Sequence, residues 1–397
     1  MATLPLKSSI DAWNEAVSIH AARFARPVSH VLRMVSLCKN KVFLVDMLGR
    51  SLCKNEGKIK NKDEIADAML SSCGRKYFSI IRKYDRCESI VAARPQLIIT
   101  LVKEIIETFG RRFYTGTEFV LCNQFLKALF DYNSFAEGKV IKIKFGHENK
   151  VWWGMSQDAP RWDASMLIRK MGIRYCPYCN AETIYVIPKC DNESNCSEDI
   201  CYHTALDHFL PKDRYPFLGL SLYNLVPSCT RCNTSYKHNK DPISLWQCDV
   251  LPRDGHDVDI FRAAHPYIEN VYDNFTMRFV LRNGELALEY KANVREALCR
   301  SRVLMESMFR WSQTYTELFM PEALAVAGNI QKIRPVYMQM LKKAYGKLPV
   351  LSMERVVCGF DIDQEDFMNH RLGKLKVDLF NKHVRNHKAL WRVTKYP

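Results

Sequence analysis

Two cysteine pairs, Cys176-Pro177-Tyr178-Cys179 and Cys229-Thr230-Arg231-Cys232, constrain this chain more than any other feature. A C-x-x-C turn presents two thiolates from one short loop. Two such turns with 49 residues between them can converge on a single tetrahedral zinc. Four thiolates close the coordination shell and leave no position for water. Cys176, Cys179, Cys229 and Cys232 are therefore read as structural Zn2+ ligands that hold the fold.

The chain has 15 cysteines, and its first thirty residues carry Lys7, Asp11, Glu15, Arg23 and Arg26. That start does not read as a secretory signal, so the thiols are expected in a reducing cytoplasm, binding metal or filling cores. No apolar run approaches the ~20 residues that span a bilayer, and no membrane is expected as a partner. The formal net charge of +15 resides in the flanks, while residues 176–250 are slightly acidic. Basic flanks around an acidic metal-binding centre suit a protein that grips polyanions, although the same charge also serves solubility.

The expected architecture is α+β and mostly helical, with a central zinc-stapled element between helical flanks. Three domains are expected: residues 1–170, basic and mainly helical; 171–250, the metal-binding unit; and 251–397, a β-hairpin with helices. In the first, residues 9–34 suit an amphipathic helix interrupted at Arg26-Pro27, and Lys62 opens another with acids in its first turn. Pro95 to Phe109 reads as a third helix, with Leu97, Leu101, Ile105 and Phe109 on one face and Gly110 as its stop. Lys139–Phe145 alternates like an edge strand whose lysines guard the edge or meet phosphate. Trp152-Trp153 stack on bases or fill a core.

In the last third, Phe275–Leu281 and Glu285–Tyr290 flank an Asn283-Gly284 turn, a hairpin signature. Asn293 to Leu318 reads as one long helix, punctuated afterwards by Pro321 and Pro335. The Arg371–Lys395 tail is basic and helical, suited to nucleic acid or an acidic partner. There is no Walker motif or Gly-rich phosphate loop in the sequence. Any ATP dependence would come from a partner ATPase or other associated protein.

The centre carries more than zinc ligands. Thr183–Ile187 and Thr204–Phe209 read as strands, the second ending in Asp207-His208, and Leu220–Leu225 as a helical turn bearing Asn224. A helix from about Thr230 sets Asn233 and Lys237 at i and i+4 on one face. The polar insert Lys189–His203 reads as a surface loop, with Cys190, Cys196, Cys201 and His203 the alternative of a second metal site. His238, Asp241 and His256 are taken as surface groups, and Cys248, Cys299 and Cys358 as core thiols.

Residues 176–240, with a C-x-x-C on either side of Asp207-His208 and Asn224-Leu225 and an Asn after the last cysteine, resemble the HNH endonuclease family in its zinc-stapled form. The resemblance implies a ββα-metal element in which His208 is the first His, Asn224 the central Asn and Asn233 the final metal-ligand position, commonly His in the family. It implies a metal-dependent endonuclease acting on DNA, with RNA also open, most like the nucleases of anti-phage defence systems. A neutral imidazole at His208 can take a proton from water. Asp207 and Asn233 offer hard oxygens to Mg2+ or Mn2+. Lys237, Lys212 and Arg231 are candidate phosphate contacts. The alternative is a catalytically silent zinc module that binds nucleic acid or a partner protein.

Overall fold

The computed structural model describes residues 10–51, 61–110, 112–138, 162–192, 195–243, 263–268, 272, 275–293, 303–332, 358–360 and 369–386. Lys139–Phe145, Trp152, Trp153, Cys248, His256, Cys299 and Pro335 lie outside them. Among the described residues, helices dominate and the strands form three separate two-stranded antiparallel sheets. No helix there is long and apolar enough to cross a membrane.

Helix α1 (Ile10–Leu37) buries Trp13, Ala16, His20, Phe24, Val28, Val31, Leu32 and Val35, a stripe at three- and four-residue spacing. It continues through Pro27, where the sequence suggested a break. Pro27 is itself buried in the packed stripe, and this burial on both sides outweighs the one backbone hydrogen bond that proline removes. Helices α2 (Lys41–Ser51), α3 (Lys62–Leu70) and α4 (Ser72–Cys87) follow, with the Ser71 hydroxyl accepting from Gly74 N at 2.9 Å to cap α4. Helix α5 runs from Pro95 to Phe109 and stops at Gly110 with φ 56°, as its sequence signals required. Four further helices, α6 (Arg112–Thr115), α7 (Thr117–Leu129), α8 (Tyr132–Ala136) and α9 (Ala164–Met171), lead to the first cysteine pair.

The insert after that pair is a hairpin, not a loop: β1 (Val186–Asn192) pairs with β2 (Asn195–His203), setting the backbone of Cys190 opposite Cys196. Polar residues at strand spacing hid it, because neither face carries an apolar stripe. Strand β3 (Leu206–His208) pairs with β4 (Leu225–Pro227), so Asp207 lies opposite Val226 and His208 opposite Leu225. Its ladder partner thus comes from beyond Asn224 and not from Thr183–Ile187. That earlier stretch still reaches Thr204, whose N–H donates to Tyr185 O at 3.0 Å.

Strands β5 (Phe275–Arg282) and β6 (Glu285–Ala292) form the expected hairpin, with positive φ at both Asn283 (52°) and Gly284 (85°). The long helix expected over Asn293–Leu318 is interrupted. A π-helix at Val303–Met308 ends at Arg310, whose φ of 51° breaks the run before α10 (Trp311–Lys332) starts. Pro321 lies inside α10, and α11 (Gly373–Asn386) lies in the expected basic tail. Buried residues from Trp13 to Phe380, Cys358 among them, belong to one hydrophobic cluster. The two cysteine turns sit within it.

Candidate metal centre and adjoining site

The four paired cysteines are buried, and their sulfurs all lie within 4.8 Å of one another. Cys179 Sγ and Cys229 Sγ are 3.9 Å apart, too far for a disulfide. A tetrahedron with zinc–sulfur bonds of about 2.3 Å has sulfur–sulfur edges of about 3.8 Å, so the donors fit a closed Zn2+ site. Burial first, then hydrogen bonds with the neighbouring sulfurs, pushes the Cys176 thiol well above the ordinary range. A divalent cation is what allows several thiolates to share so small a space.

The first turn is held by carbonyl acceptors met one after another. Tyr272 OH donates to Pro177 O, Trp311 Nε1 to Tyr178 O, and Tyr315 OH to Cys179 O. Asn180 closes the turn with φ 50° and is wholly buried. Its backbone oxygen takes Leu372 N at 2.7 Å and its side-chain oxygen takes Lys374 N at 3.0 Å. Each carbonyl that the tight turn leaves outside a ladder is thereby satisfied.

His208 stands at the end of β3, 8% exposed. Its Nε2 donates to Gly219 O at 3.0 Å. A carbonyl only accepts, so Nε2 carries the proton and Nδ1 keeps its lone pair. A Cβ on Gly219 would fall 2.7 Å from Phe130 O, so glycine is required where the loop approaches that backbone. Burial pushes His208 down to about 3, and the charges of Lys212 and Lys237 add to the effect. The imidazole packs edge-on against Tyr132, centroids 4.4 Å apart, and Lys212 Nζ lies 4.9 Å from the same ring's centroid.

The next carbonyl in the loop is held in the same way. His20 Nδ1 accepts from Trp162 Nε1 at 3.1 Å, so His20 Nε2 donates to Leu220 O at 2.8 Å. Asn224 closes the loop from inside. Its Oδ1 takes Leu210 N at 2.7 Å, while its Nδ2 donates to Leu210 O and Leu218 O. The structure therefore places Asn224 as a clasp on the loop that orients His208, with Gly219 O and not Asn224 holding the imidazole.

Asp207 is 2% exposed and both its oxygens are engaged: Lys237 Nζ lies 2.9 Å from Oδ1 and Tyr178 OH 2.7 Å from Oδ2. Lys237 is fully buried, and it also donates to His208 O at 2.6 Å. It comes from a π-helix, Arg231–Lys237, whose wide turn is marked by His238 N donating to Asn233 O, five residues back. Asn233 lies half-buried on that turn. In this arrangement the ammonium of Lys237 takes the cation position at Asp207, and a Mg2+ or Mn2+ ion would have to displace it to reach that carboxylate.

Of the other candidate phosphate contacts, Arg231 pairs with Glu182 at 2.9 Å, and Lys212 Nζ donates to Asn133 Oδ1 at 3.1 Å. Asp241, read from sequence as a surface group, is half-buried with its carboxylate turned inward, and accepts from Arg214 and Tyr215 OH, whereas His238 is exposed. His203 Nδ1 donates to Thr204 O at 3.0 Å. Cys190, Cys196 and Cys201 lie outside the residues whose side chains are described. Sequence reading missed Tyr178, Tyr132, His20 and Gly219. Only Tyr178, inside a cysteine turn, carried a local signal.

Replacing Lys237 by Met leaves the Asp207 carboxylate buried without its counter-ion. The expected loss is about 3 kcal/mol in urea unfolding, with Asp207→Asn/Lys237→Met recovering part of it. Wild-type stability in Lys237→Met would contradict the pairing. A pH effect follows from His20 and His265, which burial lowers to about 4 and about 3. Unfolded, each takes a proton near pH 6.5; folded, each resists until its lowered value. Their contribution is therefore complete above about pH 6.5 and lost as pH falls, by about 1.4 kcal/mol per unit for each group. Urea midpoints from pH 7 to 5 measure this, and a flat profile would contradict neutral burial.

Fold and site together define an α+β, mostly helical protein with a buried four-cysteine cluster suited to structural Zn2+, next to a strand carrying Asp207-His208. The chain is 35% identical over 110 residues to the Septu protein PtuB of Bacillus thuringiensis, a match covering 27% of this chain and 35% of that protein. It thus spans about a third of the relative's length. No family model matches the chain, and no solved structure matches it.

Proposed function

We propose that the chain is an HNH endonuclease that hydrolyses DNA phosphodiester bonds. The observation that carries this reading is His208: a neutral imidazole, its tautomer set by Gly219 O, with Nδ1 in hydrogen bond to no described residue. Nδ1 takes the proton from an attacking water. Lys212, whose charge helps to depress His208, is where a phosphodiester's negative charge is favourable, and that charge in turn raises the basicity of the imidazole. Asn224 and Gly219 act as positioning residues, and a zinc held by the four cysteines fixes the turn from which Tyr178 donates to Asp207. A role in bacterial anti-phage defence rests on the resemblance of residues 176–240 to defence nucleases, and the partial similarity to a Septu protein supports it. In that setting a partner ATPase supplies any nucleotide dependence.

The contact between Lys237 and Asp207 favours a second reading, a zinc module that binds nucleic acid without cutting it. Divalent metal and Lys237 are alternatives at the same carboxylate oxygen, so metal dependence separates the readings. Supercoiled plasmid incubated with zinc-loaded protein and Mg2+ or Mn2+, beside an EDTA control, is expected to be nicked or linearised only with metal. Cleavage that persists in EDTA would assign charge neutralisation to the protein's own cations and remove Mg2+ from the scheme. Intact plasmid, single-stranded DNA and RNA would leave the binding module as the function.

A further inference from the structure

A second cationic site lies between α1 and α4, in elements that the nuclease reading does not use. Arg33 and Ser29 on α1 and Arg82, Asp85 and Arg86 on α4 line an open cleft of about 400 Å3. Arg82 and Arg86 are spaced i and i+4, so both project from one face of α4 towards α1. Arg82 Nη1 donates to Ser36 Oγ at 3.2 Å, which fixes one guanidinium. Arg33 and Arg86 are exposed and pair with no carboxylate among the described residues.

The cleft's carboxylate does not neutralise them. Asp85 is 6% exposed and accepts from Ile90 N at 3.1 Å and Ser89 Oγ at 3.3 Å, closing the turn after α4. Burial also pushes the Asp85 carboxyl up, which weakens it as a counter-ion. The cleft is thus lined by three guanidiniums and one carboxylate that is committed to the turn.

We infer that this cleft binds a phosphoryl group, held by Arg33 and Arg86 with Arg82 as the fixed member. Guanidiniums match the geometry of phosphoryl oxygens in a two-point fork, which an ammonium does not reproduce. The volume lies in the range of small-ligand sites, about 300–1,000 Å3, and the open side admits a polymer as well. The phosphoryl group belongs either to a nucleic-acid backbone or to a free phosphate compound. Its recognition is independent of His208 and of any cleavage.

The test is calorimetric titration of the full-length, zinc-loaded protein with inorganic phosphate and, separately, with a short DNA duplex. Wild type is compared with Arg33→Gln/Arg86→Gln and with Arg33→Lys/Arg86→Lys; both positions are exposed, so an unchanged melting temperature certifies the fold. The glutamine variant is expected to bind phosphate at least about tenfold more weakly, with the lysine variant in between. A parallel tenfold loss for the duplex identifies a nucleic-acid backbone as the source. Loss for phosphate alone identifies a free phosphate compound. Equal binding of both probes by wild type and the glutamine variant, or no phosphate binding by wild type, overturns the inference.

Discussion

Replacement of Cys229 by Ser is expected to release zinc and unfold the centre of the chain, the largest single effect open to a point mutation here. The four sulfurs lie within 4.8 Å of one another, and all four are buried. Serine removes one thiolate, and the remaining three no longer close a tetrahedron. Binding at such sites is worth about 10–16 kcal/mol, against a total stability of about 5–15 kcal/mol for an ordinary domain. The loss cannot be absorbed locally, because Cys176 and Cys232 would then be crowded, buried thiols with no cation. Elemental analysis should find one zinc per wild-type chain and none in Cys229→Ser, together with loss of the cooperative thermal transition. A variant that is zinc-free, cooperatively folded and active would falsify the assignment.

Replacement of His208 by Gln is expected to abolish cleavage while leaving the fold in place. Alanine is the wrong substitution, since it strips Gly219 O of its donor and leaves a cavity beside Tyr132. Glutamine keeps an N–H able to reach that carbonyl but offers no basic nitrogen. Removal of a general base costs ~10²–10⁴ in rate. The readout is plasmid cleavage under single-turnover conditions, beside DNA affinity and melting temperature. A fall in rate with affinity unchanged supports the base. Equal loss of binding and cleavage would make His208 a structural residue, and undiminished cleavage would move the base elsewhere.

How far the sequence revealed this molecule depends on the range of the forces involved. The cysteine turns, the α5 boundaries at Pro95 and Gly110, and the hairpin turn at Asn283-Gly284 are local signals, and each appears where the residues indicate. Pro27 and Arg310 depart from expectation for opposite reasons. Tertiary burial carries a helix through the proline, while a positive φ at an ordinary arginine stops one that looked continuous. The sequence singles out Asp207, His208, Asn224 and Asn233 as a group, with Lys237 as a candidate phosphate contact, yet nothing in their spacing shows that Lys237 points inward onto Asp207. The choice between pairing a carboxylate and meeting a phosphate is set by packing 30 residues apart in sequence. The partners of the first cysteine turn were invisible for the same reason. Tyr272, Trp311 and Tyr315 lie 95 to 136 residues beyond the carbonyls they hold.

Those three donors also set an order of events during synthesis. Cys176 to Cys232 leave the ribosome before them, and the carbonyls of Pro177, Tyr178 and Cys179 find their partners only as Tyr272, Trp311 and Tyr315 emerge in turn. At about 5–20 residues per second, several seconds separate the last cysteine from the last of these aromatic side chains. During that interval the turn beneath Asp207 lacks its final support. The cysteine turn and the Asp207-His208 strand it supports through Tyr178 are thereby completed late, only after most of the chain between them and Tyr315 has been made.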